Sequence, residues 1–321
     1  MKKYEKRGDS IMIYTVTLNA ALDKVISVNK LVKNHNNKVK KLIYDIGGKA
    51  THVSVVLSSM DITNIATGIL AGENGKKVQN LLEAKNVKCD YVWQQGNETR
   101  ESFIIVPEDE EGSYMITQRG FGIKDDTFNR VKDKLSNLVK KDDIVVFAGG
   151  PPPKITVEKY RELLNTVKDN GGRLVVDVSG EYLKEAIEAK VDLIKPNKAE
   201  FNEMVNKSLA DEEEYIKELK RINEIGVEVI ALSLGREGSI ISTKDKTLRV
   251  YPPKIREVND TGCGDVFLGG AVAMMAQEKE LEEVFRFATA ISASKATKEG
   301  SSDFDIDQAL GFLKDVRIQY I

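Results

Sequence analysis

Asn259-Asp260-Thr261-Gly262-Cys263-Gly264-Asp265 runs directly into Val266-Phe267-Leu268-Gly269-Gly270-Ala271-Val272-Ala273-Met274-Met275-Ala276. The second run is small and apolar, which predicts a buried helix. The first puts a glycine turn at the start of that helix, where the leading backbone N–H groups have no intrahelical acceptor. Those donors and the helix dipole together form a site for an anion. Asp265 stands at its mouth, where a carboxylate can take a proton from a hydroxyl that attacks a phosphate. The same residues also fit a plainer reading, a glycine-rich turn with Asp265 as a first-turn cap, because short glycine motifs are common.

The composition narrows the choices around that stretch. At 321 residues, 41% hydrophobic and 31% charged, the chain can bury one large core or two modest ones. Its 48 basic and 50 acidic residues leave a formal charge of -2, which gives no general pull toward nucleic acid or an anionic membrane. Cys89 and Cys263 are the two cysteines, and His35 and His52 the two histidines. That excludes a disulfide framework, disfavours a zinc cluster or a Ser-His-Asp hydrolase, and points to a reducing, cytoplasmic compartment. The longest apolar stretch, 266–276, is too short to span a bilayer. Residues 1–10 are charged with no apolar centre, which predicts a polar extension rather than a signal peptide.

Along the chain, the β-branched segment 11–18 predicts a first buried strand. It ends in a turn carrying Asn19 and Asp23, near the carboxyl end of a strand, where open α/β sheets bind ligands. Asp23 is a candidate acceptor for a ligand hydroxyl, or simply a turn aspartate. Segments 25–29 and 38–44 predict short polar strands suited to a one-faced sheet. Gly47-Gly48 then opens a helix running to Met60, with Lys49 and His52 in its first turns, a second candidate anion or sugar site. A strand is expected at 61–70 and a helix at 74–85. Further strands at 91–94, 102–106 and 113–117 are expected to join the polar ones in a small β lid, discontinuous at about 24–46 and 91–121, on a single domain covering 11–321.

From residue 143 the pattern alternates. Strands at 143–148, 173–178, 191–195 and 227–233 are separated by helices at 155–168, 181–189, 199–205 and 212–225. A hairpin at 239–242 and 247–251, the glycine-led helix, and helices at 281–298 and 306–313 complete the chain. Alternation of this kind predicts an α/β fold, a doubly wound and mostly parallel sheet with helices on both faces. Its strand ends share one edge, which gathers Asn19, Gly149, Ser179, Asn197, Glu200 and the 233–235 turn beside Asp265. Such a set suits a nucleotide triphosphate and its magnesium. A nicotinamide-dependent oxidoreductase finds little support, because no Gly-x-Gly-x-x-Gly turn follows the first strand.

Taken together, these motifs resemble a ribokinase-like sugar kinase of the phosphofructokinase B type, nearest the 1-phosphofructokinase and tagatose-6-phosphate kinase branch. Six motifs occur in order: Thr17-Leu18-Asn19 with Asp23, Gly47-Gly48-Lys49, Thr99-Arg100, Lys195-Pro196-Asn197 with Glu200, Ser233-Leu234-Gly235 with Gly238, and Gly262-Cys263-Gly264-Asp265. The resemblance covers essentially everything after residue 10. It implies ATP and Mg2+ as nucleotide and ion, Asp265 as catalytic base, and the N–H groups of Gly262, Cys263 and Gly264 as an anion hole. It implies Asp23, Lys38, Gly47, Gly48, Lys49, His52 and Arg100 on the sugar-phosphate side. Lys195, Asn197, Ser233, Gly235, Gly238 and Gly264 fall on the nucleotide side, with Asn197 and Glu200 positioning the ion through water. It also implies a homodimer clasped through the lids. Ala50 stands where the family usually has a further glycine, His52 where most members carry an asparagine that bonds sugar hydroxyls, and Ser102 where close relatives carry asparagine. Ala20 replaces a proline. The first three lie on the sugar side. Two alternatives stay open: a kinase of an unphosphorylated sugar or nucleoside, and a binding or regulatory protein that kept the fold without catalysis.

Overall fold

In the computed structural model, which describes residues 11–110, 112–300 and 303–321, the strands fall into two sheets. The expected polar extension 1–10 lies outside the described residues. The chain runs β1 (Ile13–Thr17), β2 (Ala21–Val28), β3 (Val39–Gly47), α1 (Lys49–Ser59), β4 (Asn64–Leu70), α2 (Gly72–Ala84), β5 (Lys88–Trp93), β6 (Arg100–Pro107) and β7 (Tyr114–Thr117). It continues with α3 (Asp125–Leu138), β8 (Ile144–Ala148), α4 (Val157–Asp169), β9 (Arg173–Asp177), α5 (Gly180–Glu188), β10 (Leu193–Ile194), α6 (Lys198–Val205), α7 (Glu212–Ile225) and β11 (Val229–Ser233). The last elements are β12 (Ser239–Ser242), β13 (Thr247–Tyr251), α8 (Cys263–Met275), α9 (Leu281–Ala296), α10 (Ile306–Phe312) and β14 (Arg317–Tyr320).

The large sheet has the order β14-β13-β12-β11-β10-β9-β8-β1-β4-β5. From β11 to β5 every pairing is parallel, while β11 through β14 pair antiparallel. Helices cover both faces, so the central strands are near-continuous apolar runs rather than alternating ones; β8, for instance, is Ile-Val-Val-Phe-Ala and wholly buried. One core packs Phe147, Leu174 and Val176 against Tyr160, Leu164 and Phe201 of α4 and α6. The other packs Ile13, Val146 and Val175 against Leu57, Leu268 and Phe285 of α1, α8 and α9. Helix α8 is rich in small residues for a reason visible at Gly269, where an added Cβ would lie 2.7 Å from Val56 of α1.

From β1 the chain builds outward to β4 and β5 on one side, then to β8, β9, β10 and β11 on the other. The crevice at the carboxyl end of β1 is therefore the point where the strand order reverses, the place such sheets bind ligands. The small sheet, ordered β3-β2-β6-β7, is fastened there, because β2 begins four residues after β1 ends and β3 leads directly into α1.

Two expectations change. Residues 91–93 belong to β5 of the large sheet, in parallel register with β4 (Gly68 opposite Tyr91, Leu70 opposite Trp93), and not to the lid. Tyr91 and Val92 are buried, so this strand has two covered faces and does not suit a one-faced sheet. The lid strands accordingly span 21–47 and 100–117. Helix α3 and strand β14 were not anticipated; α3 carries Phe128, Val131 and Leu135 on its buried face, a helical spacing present in the sequence. Among the described residues, no helix is long and apolar enough to cross a membrane.

Candidate active site

The 259–265 loop is pinned from several sides. Asn259 Oδ1 accepts from the Thr261 N–H (3.0 Å) and its Nδ2 donates to the Glu299 carbonyl (2.7 Å). From α9, Ser292 Oγ donates to the Cys263 carbonyl (3.0 Å) and the buried Lys295 Nζ to the Asn259 carbonyl (2.8 Å). Gly262 caps α8 at φ +81°, a left-handed conformation that favours glycine. The Cys263 N–H is turned to the Asp260 carbonyl (3.1 Å). Of the three expected anion-hole donors, those of Gly262 and Gly264 therefore have no acceptor among the described residues, and that of Cys263 does. Burial pushes the Cys263 thiol up to about 11, so it is a small neutral neighbour.

This loop is the wall between two cavities. The larger, about 920 Å³, has Asp260, Cys263 and Gly264 on its wall, with Lys195, Asn197 and the 233–238 turn opposite. The smaller, about 350 Å³, has Thr261, Gly262 and Asp265 on its wall, with Asp23, Lys49 and Arg100 opposite. Neighbouring residues of one loop thus face two compartments of a size for small-molecule ligands.

In the smaller cavity, Asp265 Oδ2 lies 2.7 Å from His52 Nδ1, and His52 Nε2 donates to the Ile46 carbonyl (2.9 Å). Burial favours the neutral ring, but Asp265, the Ile46 carbonyl and Asp23 outweigh it and raise the His52 pKa to about 9. Both ring nitrogens are committed to protein atoms, so His52 has no free donor for a sugar hydroxyl, which changes the role the sequence suggested. Asp23 is buried and shares the lid register with Ser102 and Asp45. Burial raises its carboxyl above the usual range, with Asp45 adding to the effect and His52, Ser102 and Arg100 opposing. Gly47 is required beside it, since a Cβ there would lie 2.1 Å from Asp23 Oδ1. Arg100 is held by the carbonyls of Asn19 (3.1 Å) and Gln118 (3.2 Å). Lys38 is exposed, lies ahead of β3, and lines neither cavity.

A residue that sequence reasoning passed over joins the two compartments. Asp177, fully buried at the end of β9, accepts from Lys49 Nζ at 3.1 Å and makes an ion-pair contact, off the hydrogen-bond angle, with Lys195 Nζ at 3.1 Å. Lys49 faces the smaller cavity and Lys195 the larger. Burial acts to raise the Asp177 pKa, but Lys195 and Lys49 hold it below the usual carboxylate range. For Lys49, burial pulls the ammonium down while Asp177, Asp265 and Glu200 together raise it above its ordinary value. The Lys195 ammonium also approaches Gly264, where an added Cβ would sit 3.2 Å from Nζ. The signal for Asp177 was present: an acid closing an apolar strand on the edge that carries most of the other candidates.

Beside the larger cavity, Asn197 and Glu200 form a reciprocal cap at the start of α6. Asn197 Oδ1 accepts from the Glu200 N–H and Glu200 Oε2 from the Asn197 N–H, both at 2.9 Å. Glu200 Oε1 is left, 3.8 Å from Lys49 Nζ. Among the described residues there is no group of three or more acidic, histidine or cysteine side chains that could hold a metal. One spare carboxylate oxygen suits contact with the water shell of an ion carried by a nucleotide, and does not suit a resident metal. Ser233, Gly235 and Gly238 line the larger cavity around a short turn, with the glycines at φ +59° and +93°.

The chain is similar to known proteins over most of its length. The model for the pfkB family of carbohydrate kinases matches residues 16–308. The chain is 29% identical over 309 residues to 1-phosphofructokinase of Bacillus subtilis, covering 96% of this chain and 100% of that one. It is 28% identical over 315 residues to tagatose-6-phosphate kinase of Staphylococcus epidermidis, covering 96% and 99%. The crystal structure of phosphofructokinase-2 from Escherichia coli in complex with fructose-6-phosphate superposes with a TM-score of 0.88, at 24% identity, covering 95% and 98%; that likeness speaks to the fold alone.

The Lys49–Asp177–Lys195 group predicts a measurable cost. Asp177→Asn leaves two ammonium groups without their buried counter-charge, which should destabilise the protein by about 3–5 kcal/mol in urea unfolding at pH 7. Because the Asp177 carboxyl is held low, its contribution is complete above the unfolded carboxylate range, roughly pH 4, and is lost as pH falls through the lower folded value. The gap between variant and wild type should therefore narrow below about pH 4; a gap that is small or independent of pH would contradict the ion-pair account.

Proposed function

The chain belongs to the pfkB family of carbohydrate kinases, and from that premise we propose that it transfers the γ-phosphoryl group of ATP to a hydroxyl of a ketohexose phosphate. The reading is of the 1-phosphofructokinase type, fructose 1-phosphate to fructose 1,6-bisphosphate, or of the tagatose-6-phosphate kinase type. The observation that carries it is the shared loop: Gly264 and the Lys195 ammonium face the larger cavity, while the Asp265 carboxylate faces the smaller one. A phosphoryl group crossing that wall passes from a nucleotide on one side to an alcohol on the other.

In the reaction, the acceptor hydroxyl oxygen bonds to the γ-phosphorus as the bond to the ADP oxygen breaks, and the hydroxyl proton goes to Asp265. Base assistance of this kind contributes roughly 10²–10⁴-fold. The free N–H groups of Gly262 and Gly264, the α8 dipole and Lys195 receive the charge on the transferring group. Glu200 Oε1 and the Asn197 cap would hold the water shell of a Mg2+ carried by the nucleotide, which would supply charge neutralisation on the phosphates. Asp23 accepts from sugar hydroxyls. Arg100, the first residue of lid strand β6 and part of the smaller cavity's wall, faces the phosphate that the sugar already carries.

The same reading makes the chain a homodimer through the lid. Val39, Leu42, Ile43, Tyr114 and Ile116 are exposed on the outer strands β3 and β7, a concentration of large apolar side chains that monomers seldom leave uncovered. A second lid is the occupant that fits, because it presents the same apolar strip to a twofold partner.

Release of ADP should be measured on a panel of fructose 1-phosphate, tagatose 6-phosphate, fructose 6-phosphate and the free sugars. A sugar phosphate should turn over far faster than any free sugar, and Asp265→Asn should lower that turnover by about 10²-fold or more while ATP still binds. Near-normal turnover by Asp265→Asn would remove it as the base. Arg100→Ala should raise KM for the sugar phosphate at least about tenfold, with little change for a free sugar; an equal loss on both would remove Arg100 from phosphate recognition. Wild type should sediment as a dimer and Leu42→Glu as a monomer; a monomeric wild type would sink the lid interface.

A further inference from the structure

His52 is the unusual feature of the smaller cavity. It sits in the second turn of α1, pointing into the floor of the cleft, and is 7% exposed. Its Nε2 meets the Ile46 carbonyl, which can only accept, so Nε2 carries a proton. Its Nδ1 meets Asp265 Oδ2 at 2.7 Å, which requires one further proton between the two atoms. A neutral ring against an ionised carboxylate would oppose a lone pair to a negative charge.

We infer that His52 is a positioning residue for the proposed phosphoryl transfer: a buried imidazolium, pinned by the Ile46 carbonyl, that fixes Asp265 Oδ2 so that Oδ1 faces the acceptor hydroxyl. This rests on the reading of Asp265 as the base. The three elements that meet at the ring give it that role. Ile46 comes from lid strand β3, His52 from α1, and Asp265 from the first turn of α8. A carboxylate 8% exposed has little water to bond, and one held through one oxygen cannot turn about its bond. The other charged groups facing the ring are Asp23 from β2, with Asp45 of β3 and Arg100 of β6 behind it, and Lys49 from its own helix. An amide in place of the ring would supply a neutral donor to one of the two acceptors only.

The test uses the full chain, ATP and fructose 1-phosphate, or the sugar phosphate that the panel above selects. The raised His52 pKa keeps the imidazolium protonated at neutral pH, and its proton is lost as pH rises through about 9. Wild-type turnover should therefore fall through that pH. In His52→Gln, kcat should drop roughly tenfold or more, KM for both substrates should stay within about twofold, and the fall near pH 9 should disappear. Should His52→Gln keep the wild-type kcat and pH profile while Asp265→Asn is inactive, the inference fails and the base reading stands. Should Asp265→Asn turn over normally, both fail. A readout free of folding effects is nitrogen-15 NMR of the wild type, assigned with His35→Gln, since the chain has two histidines. Both ring nitrogens of His52 should be protonated at neutral pH; a single N–H would overturn the inference.

Discussion

Two ammonium groups, a buried Lys195 and a half-exposed Lys49, flank one buried carboxylate and decide the geometry of this cleft. Lys49 and Lys195 repel each other and are costly to take out of water, and Asp177 is what lets them stay. At 3.1 Å each contact is worth about 5 kcal/mol of Coulomb attraction at an effective dielectric of ~20, much of it offset by desolvation. Without Asp177 the two ammonium groups would face each other with no carboxylate between them, one at each compartment. The parallel sheet makes the arrangement possible: β9 delivers Asp177, β10 leads to Lys195, and α1 starts with Lys49, all on the edge where the strand order reverses.

The acceptor side is built on the same logic of compensated charge. Asp265, Asp23 and Asp45 bring three acids near one small cavity, and His52, Lys49 and Arg100 answer them. The balance explains how so many charged groups can sit together in one small cavity. It also explains the glycines nearest to it: Gly47 leaves room for the Asp23 carboxylate, and Gly262 makes the left-handed step that aims α8 at the cleft.

Much of this was legible in the sequence, for a physical reason. The alternation of apolar strand and amphipathic helix, and the small polar turns after each strand, are dictated locally, so the doubly wound sheet and its functional edge follow from the order of residues. Asp265, Asp23, Lys49, Arg100, Lys195, Asn197 and the 233–238 turn line the cavities as that edge requires. What was not legible depends on contacts between distant elements. The partners of His52 lie on β3 and α8, and no local pattern announces that both its nitrogens are spent. The Cys263 N–H turns to Asp260 because of the loop's final path, which no motif encodes. Segment 91–93, Tyr-Val-Trp, is as short and β-prone as a lid strand, and its parallel pairing with β4 assigns it to the large sheet. Lys38 shares the basic character of the lid segment, yet the chain carries it away from the cleft.

The small sheet has a consequence for the order in which the molecule assembles. Its central pairing sets Ala21 beside Arg100, and between those residues lie β3, α1, β4, α2 and β5. Closing so long a loop loses chain entropy unless the intervening segment is already condensed. The roof of the cleft can therefore register only after the first half of the large sheet has formed beneath it. Binding competence, on this topology, is acquired at the end of folding rather than along the way.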